Sequence, residues 1–70
     1  MNYHEQIQYE FLVLVQTCLL VNARFRTTIN DEKHQWIIEY KNEEYYGRDF
    51  SQYTLRNAFV WVSMRHMKND

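Results

Sequence analysis

Hydrophobic residues fall along this chain in two different periods, and the switches between them mark out the elements. From Tyr3 to Asn22 or Ala23 the series Ile7, Phe11, Leu14, Cys18, Val21 steps by four, three, four and three. That is the spacing of one helix face, and Leu12, Val15 and Leu19 are expected to widen it. Gln6, Glu10 and Thr17 form a polar strip beside it. The β-preferring run Phe11–Val15 competes as a short strand, but the helical pattern holds for more than four turns.

The period then drops to two. Phe25, Thr27 and Ile29 alternate with Arg24, Arg26, Thr28 and Asn30, which reads as a half-buried strand. Asn30-Asp31-Glu32-Lys33 is a polar turn. From His34 to Lys41, Trp36, Ile38 and Tyr40 alternate with Ile37, Glu39 and Lys41, so the two strands should form an antiparallel hairpin. Asn42-Glu43-Glu44 is read as a second turn, and Tyr45-Tyr46-Gly47-Arg48 as either a short third strand or a loop. Gly47 would supply a positive φ or a bulge where that edge bends away. Asp49 or Ser51 can cap a final helix that runs to about Met67, with Leu55, Ala58, Phe59 and Val62 as its inward stripe. The expected fold is a small α+β domain spanning residues 1–70: helix, antiparallel hairpin with the optional third strand, helix.

Both helices carry a second apolar stripe. On the first it is Tyr9, Val13 and Leu20; on the last it is Tyr53, Val60, Met64 and Met67, with Asn57 set among them. The spacing Tyr53, Asn57, Val60, Met64, Met67 is seam-like, and a polar residue within a seam can fix register between two copies. Methionine suits such a surface because its flexible, polarisable side chain adapts to a partner. One stripe per helix suffices for a core. A body of 70 residues buries only about 60% of the surface of its unfolded chain and gains no more than about 3–5 kcal/mol net from one core. The second stripes are therefore assigned to a homodimer interface. Hiding ~400 Å² of apolar surface per chain would contribute about 10 kcal/mol gross, much of it offset by the cost of association.

Composition supports the same direction. Hydrophobic residues make up 46% and aromatic residues 17%, more rings than one small interior holds. The single cysteine, Cys18, excludes an internal disulfide and reads as a buried small hydrophobe. No cofactor or metal is expected, since His4, His34 and His66 fall in three separate elements. Asp31, Glu32, Glu43 and Glu44 read as solvated turn carboxylates rather than an acid–base pair. With one glycine in the chain, no phosphate-binding loop can form. The chain is read as non-enzymatic.

The net charge of −1 lacks the basic excess of a nucleic-acid footprint. Arg24, Arg26 and Arg48 could in principle join Trp36, Tyr40, Tyr45 or Tyr46 in a stacking platform, but the alternation points Arg24 and Arg26 away from the apolar face. The element order is similar to that of the double-stranded-RNA-binding fold. That fold's basic cluster at the start of its last helix has no counterpart in Ser51-Gln52-Tyr53-Thr54. The alternative function, a dimeric nucleic-acid-binding regulator, rests on that resemblance.

The first reading is a protein-interaction module that binds and modulates or inhibits a larger protein, with Tyr45, Tyr46, Arg48 and Trp61 as contacts, because tyrosine, tryptophan and arginine favour interfaces. By analogy it resembles the accessory inhibitors of viruses and mobile elements. Glu5 stands where a secretory signal would place basic residues, and the Phe11–Val21 run is half a bilayer span. A cytoplasmic location with no membrane contact is expected.

Overall fold

The computed structural model describes residues 2–30 and 33–68, with side chains at residues 2–27 and 36–68. The expected turn at Asp31-Glu32 and the side chains of Ile29 and His34 lie outside them. The element order is α1 (Tyr3–Val21), β1 (Arg24–Asn30), β2 (Lys33–Tyr40), β3 (Glu43–Gly47) and α2 (Gln52–Lys68). The α+β architecture is the expected one, and the optional third strand is present.

Helix α1 is closed at both ends by asparagine. Asn2 accepts the Glu5 N–H on its side-chain oxygen at 2.8 Å, satisfying one free donor of the first turn. Asn22 takes the left-handed conformation, φ 61°, which turns the Ala23 N–H back onto the Cys18 carbonyl at 2.8 Å. The chain enters β1 two residues after the helix ends.

The strands form one antiparallel sheet in the order β1-β2-β3. Register places Phe25, Ile38 and Tyr45 in one row, and Thr27, Trp36 and Gly47 in the next, all on the face that meets the helices. Arg26, Ile37 and Tyr46 form a row on the other face, followed by Arg24, Glu39 and Glu44.

The second hairpin corrects two expectations. Its turn is Lys41-Asn42, both with positive φ (47° and 70°), as a two-residue type I′ connection requires. Glu43 and Glu44 are therefore strand residues paired to Tyr40 and Glu39, not turn residues, and β3 starts two positions earlier than expected. The glycine also has a different reason. Gly47 has no positive φ. A Cβ there would stand 2.0 Å from Cε2 of Trp36, so glycine is needed because the indole lies against the backbone.

Trp36 is the centre of the interior. It is fully buried, its indole N–H donates to the Asp49 carbonyl at 2.8 Å, and Phe25 stacks on it at 5.5 Å. Leu14, Cys18, Ile38, Leu55, Ala58 and Val62 complete the buried cluster, with Ile7, Phe11, Val21, Ala23, Phe25, Tyr45 and Trp61 packed around it. The inward stripes of both helices are thus as expected, apart from three residues. Phe59 is exposed, and Leu12 and Leu19, expected to widen the inward face of α1, point to solvent. They lie too far around the helix from Leu14 and Cys18 to reach the sheet.

At the start of α2, Ser51 is the cap: its hydroxyl oxygen accepts the Thr54 N–H at 3.2 Å. Asp49 supports it from outside, accepting the Ser51 N–H at 3.1 Å and the Thr54 hydroxyl at 2.8 Å. These bonds, the Thr54 hydroxyl first, hold the Asp49 carboxyl below its usual pKa.

The result is a slab of two layers, with Cα extents of 36 × 32 × 16 Å. Its accessible surface of 5381 Å² exceeds the about 4,800 Å² expected of a monomer of 8.8 kDa. Flatness leaves the surface large and the interior thin.

Candidate interaction surfaces

The two helices lie side by side over the sheet. Arg56 of α2 donates from Nε to the Glu10 carboxylate of α1 at 2.7 Å, which fixes their relative height. Phe11, next in α1, meets Phe25 of β1 at 5.7 Å and Phe50 at 5.8 Å. Trp61 of α2 meets Tyr45 of β3 at 5.7 Å. So α1 covers β1, α2 covers β3, and the polar strip of Gln6, Glu10 and Thr17 faces the neighbouring helix. Thr17 returns its hydroxyl to the Val13 carbonyl at 2.8 Å, and Gln6 donates to Glu10 at 3.2 Å.

At 100° per residue, the second stripes then fall on the outer side of the helix layer. Leu20 is 84% exposed, Tyr53 76% and Met67 72%; Tyr9, Val60 and Met64 are about half exposed. Asn57 is exposed among them and Val13 is half-buried. Arg56 falls within this strip, and Glu10 neutralises it. The eight residues expected at a dimer interface therefore share one broad, largely apolar outer face.

The four residues expected to contact a partner do not stand together. Tyr46 and Arg48 are exposed at the end of β3. Trp61 is half-buried, between the Tyr45 ring and the Arg65 guanidinium, 4.2 Å from its ring centre. Arg65 also pairs with Glu43 at 3.2 Å. Burial, more than its other neighbours, pushes the Tyr45 hydroxyl pKa up. Trp61 and Tyr45 are tied into packing, and Tyr46 and Arg48 are the accessible pair.

The uncovered face of the sheet is polar by contrast. Arg26 meets Glu44 at 3.4 Å, and the Tyr46 hydroxyl donates to the same carboxylate at 3.0 Å, which raises the Tyr46 pKa. Trp36 and Tyr40 are buried on the opposite face from Arg24 and Arg26. Of the stacking platform considered from the sequence, Trp36 and Tyr40 are thus turned away from the arginines, whereas Tyr46 shares the face of Arg24 and Arg26.

Sequence reasoning missed one surface. Leu19 is 73% exposed and Leu12 58%. Leu12 lies 200° and Leu19 180° around α1 from Glu10, which faces α2. They lie on the flank of α1 turned away from α2. The signal was available in the helical angles, once the position of α2 is known.

For chemistry, burial pushes the Cys18 thiol up to about 11, so it is held as the neutral, unreactive thiol. Glu43 and Glu44, expected to be solvated turn carboxylates, are engaged by Arg65 and Arg26. The Tyr40 hydroxyl and His66 Nδ1 are hydrogen-bonded at 3.0 Å, tying the end of β2 to the last turn of α2. Among the described residues no three His, Cys, Asp or Glu side chains are grouped as metal ligands, and no helix is long and apolar enough to cross a membrane. No protein-family model, curated protein or solved structure matches the chain.

Proposed function

We propose that this protein is a non-enzymatic, cytoplasmic interaction module that acts as a homodimer and binds and modulates a larger protein. One observation carries the reading: Tyr9, Leu20, Tyr53, Val60, Met64 and Met67 all face outward from one side of the helix layer. Isolated exposed apolar residues are ordinary, but a contiguous patch on one face marks a contact surface. A stable dimer needs about 800 Å² from each partner, and a layer of two helices, 19 and 17 residues long, can supply it. Covering that patch also supplements a core of eight buried side chains among the described residues. Tyr46, on the open face of the sheet, and the exposed Arg48 just beyond β3 are left for the modulated partner.

Sedimentation and light scattering test the association directly. The expected result is a mass twice 8.8 kDa at micromolar concentration, with a melting temperature that rises with protein concentration. A monomer of unchanged stability over that range refutes the homodimer. RNA or DNA binding that falls steeply from low to moderate salt would show a nucleic-acid regulator instead.

A further inference from the structure

We infer that Met64 and Met67 form a redox switch on the outer strip of α2: a peroxide converts their thioethers to sulfoxides and releases the homodimer as folded single chains. This rests on the homodimer reading and adds the regulation of its interface.

Among the described residues, sulfur stands at three positions, Cys18, Met64 and Met67. Cys18 is 2% exposed within the core cluster, and burial keeps its thiol neutral. A thiol reacts with oxidants as an exposed thiolate, so this sulfur is withheld. Met64 is 52% exposed and Met67 72%, both in the last two turns of α2. At 100° per residue they lie 60° apart around the helix, and Val60 and Tyr53 fall in the sector between them. The two open sulfurs therefore stand within the apolar strip and not at its margin. A thioether has no proton to lose, so its lone pair is available without a neighbouring base.

The sulfur lone pair attacks one oxygen of hydrogen peroxide. The S–O bond forms, the O–O bond breaks, and the second oxygen leaves as water with both peroxide hydrogens. Sulfur is oxidised by two electrons and the peroxide is reduced by two. The product replaces a flexible apolar group by a polar one. In a single chain that change costs little, because both side chains already face water. In the dimer each sulfoxide must lose its water between two apolar strips, so the penalty falls on association. Two copies bring four such groups to one interface. The dimer in turn covers the sulfurs, so the free chain in exchange with it is the species that reacts. Association and oxidation oppose each other through the same atoms.

The test treats the full chain with hydrogen peroxide at a concentration where sedimentation shows the dimer. Peptide mapping by mass spectrometry should place one added oxygen on Met64 and one on Met67. The dimer should weaken by at least about tenfold, with the far-UV circular dichroism of the chain retained. The rate of oxidation should fall as protein concentration rises through the dissociation constant. Methionine sulfoxide reductases with a dithiol should restore the doubled mass. The double substitution Met64→Leu, Met67→Leu keeps every other oxidisable group, and peroxide should leave its association constant, whatever its value, where it was. A doubly oxidised chain that associates as tightly as the reduced one, an oxidation rate indifferent to protein concentration, or equal weakening of the leucine variant overturns the switch. Sedimentation before any peroxide is added reads the homodimer by itself. A monomer there sinks both readings, and a dimer that survives oxidation of both methionines sinks only the switch.

Discussion

On the uncovered face of the sheet, Arg26 reaches Glu44, and Tyr46 donates to the same carboxylate. On the uncovered face of the helix layer, Tyr53, Val60, Met64 and Met67 follow one another along α2, with Tyr9 and Leu20 alongside on α1. Both faces back onto the same buried cluster and both are open in a single chain. The first carries polar groups around a single half-buried aliphatic side chain among the described residues, Ile37. The second is largely apolar apart from Arg56 and Asn57, and on the proposed reading the difference separates a face finished for solvent from one finished by association.

The comparison can be broken first from within. Gly47→Ala drives a methyl into the Trp36 ring and should cost about 3 kcal/mol or more. For a core supplying about 3–5 kcal/mol, that leaves the chain largely unfolded at room temperature, read by far-UV circular dichroism. Next comes the helix face. Met64→Glu should halve the mass in sedimentation and remove the concentration dependence of melting. A dimer that persists with Met64→Glu would move the interface off this strip. The turn comes third. Replacing Lys41-Asn42 by Asn-Gly should raise stability by about 1 kcal/mol in urea titration, because both positions have positive φ.

The support that Asp49 gives the α2 cap has a smaller, pH-dependent effect. The folded pKa of Asp49 lies below the ordinary value of 3.8, so the stabilisation is complete above that value and is lost as pH falls through the folded pKa. Asp49→Asn should flatten the stability profile below about pH 4 and leave it nearly unchanged in shape at neutral pH. Smallest of all, Arg26→Gln on the sheet face should change stability by no more than about 0.5 kcal/mol and leave the mass unchanged.

The two hairpins show what was legible in the sequence. For β1 and β2, the polar run centred on Asp31-Glu32 implies partners whose numbers sum to 63, and the observed pairs Arg24↔Glu39 and Phe25↔Ile38 obey it. For β2 and β3, a turn at Asn42-Glu43-Glu44 implies a sum of 86, whereas the observed sum is 83. Polarity alone put the two glutamates in the turn. Lys41 was hard to foresee there, because lysine seldom takes positive φ. With the turn at Lys41-Asn42, the same arithmetic places the one glycine opposite Trp36, and the reason for Gly47 becomes plain. On the helices, the inward and outward stripes were legible because their period is intrinsic to the sequence. The flank of Leu12 and Leu19 was not, because its exposure depends on which side α2 occupies.

At 16 Å thick, the slab has no interior behind its interior. Each core side chain is the underside of something a visitor could touch, so occupancy at any surface should register at the others as a change in melting or exchange. In a body this thin, recognition and folding share the same few atoms.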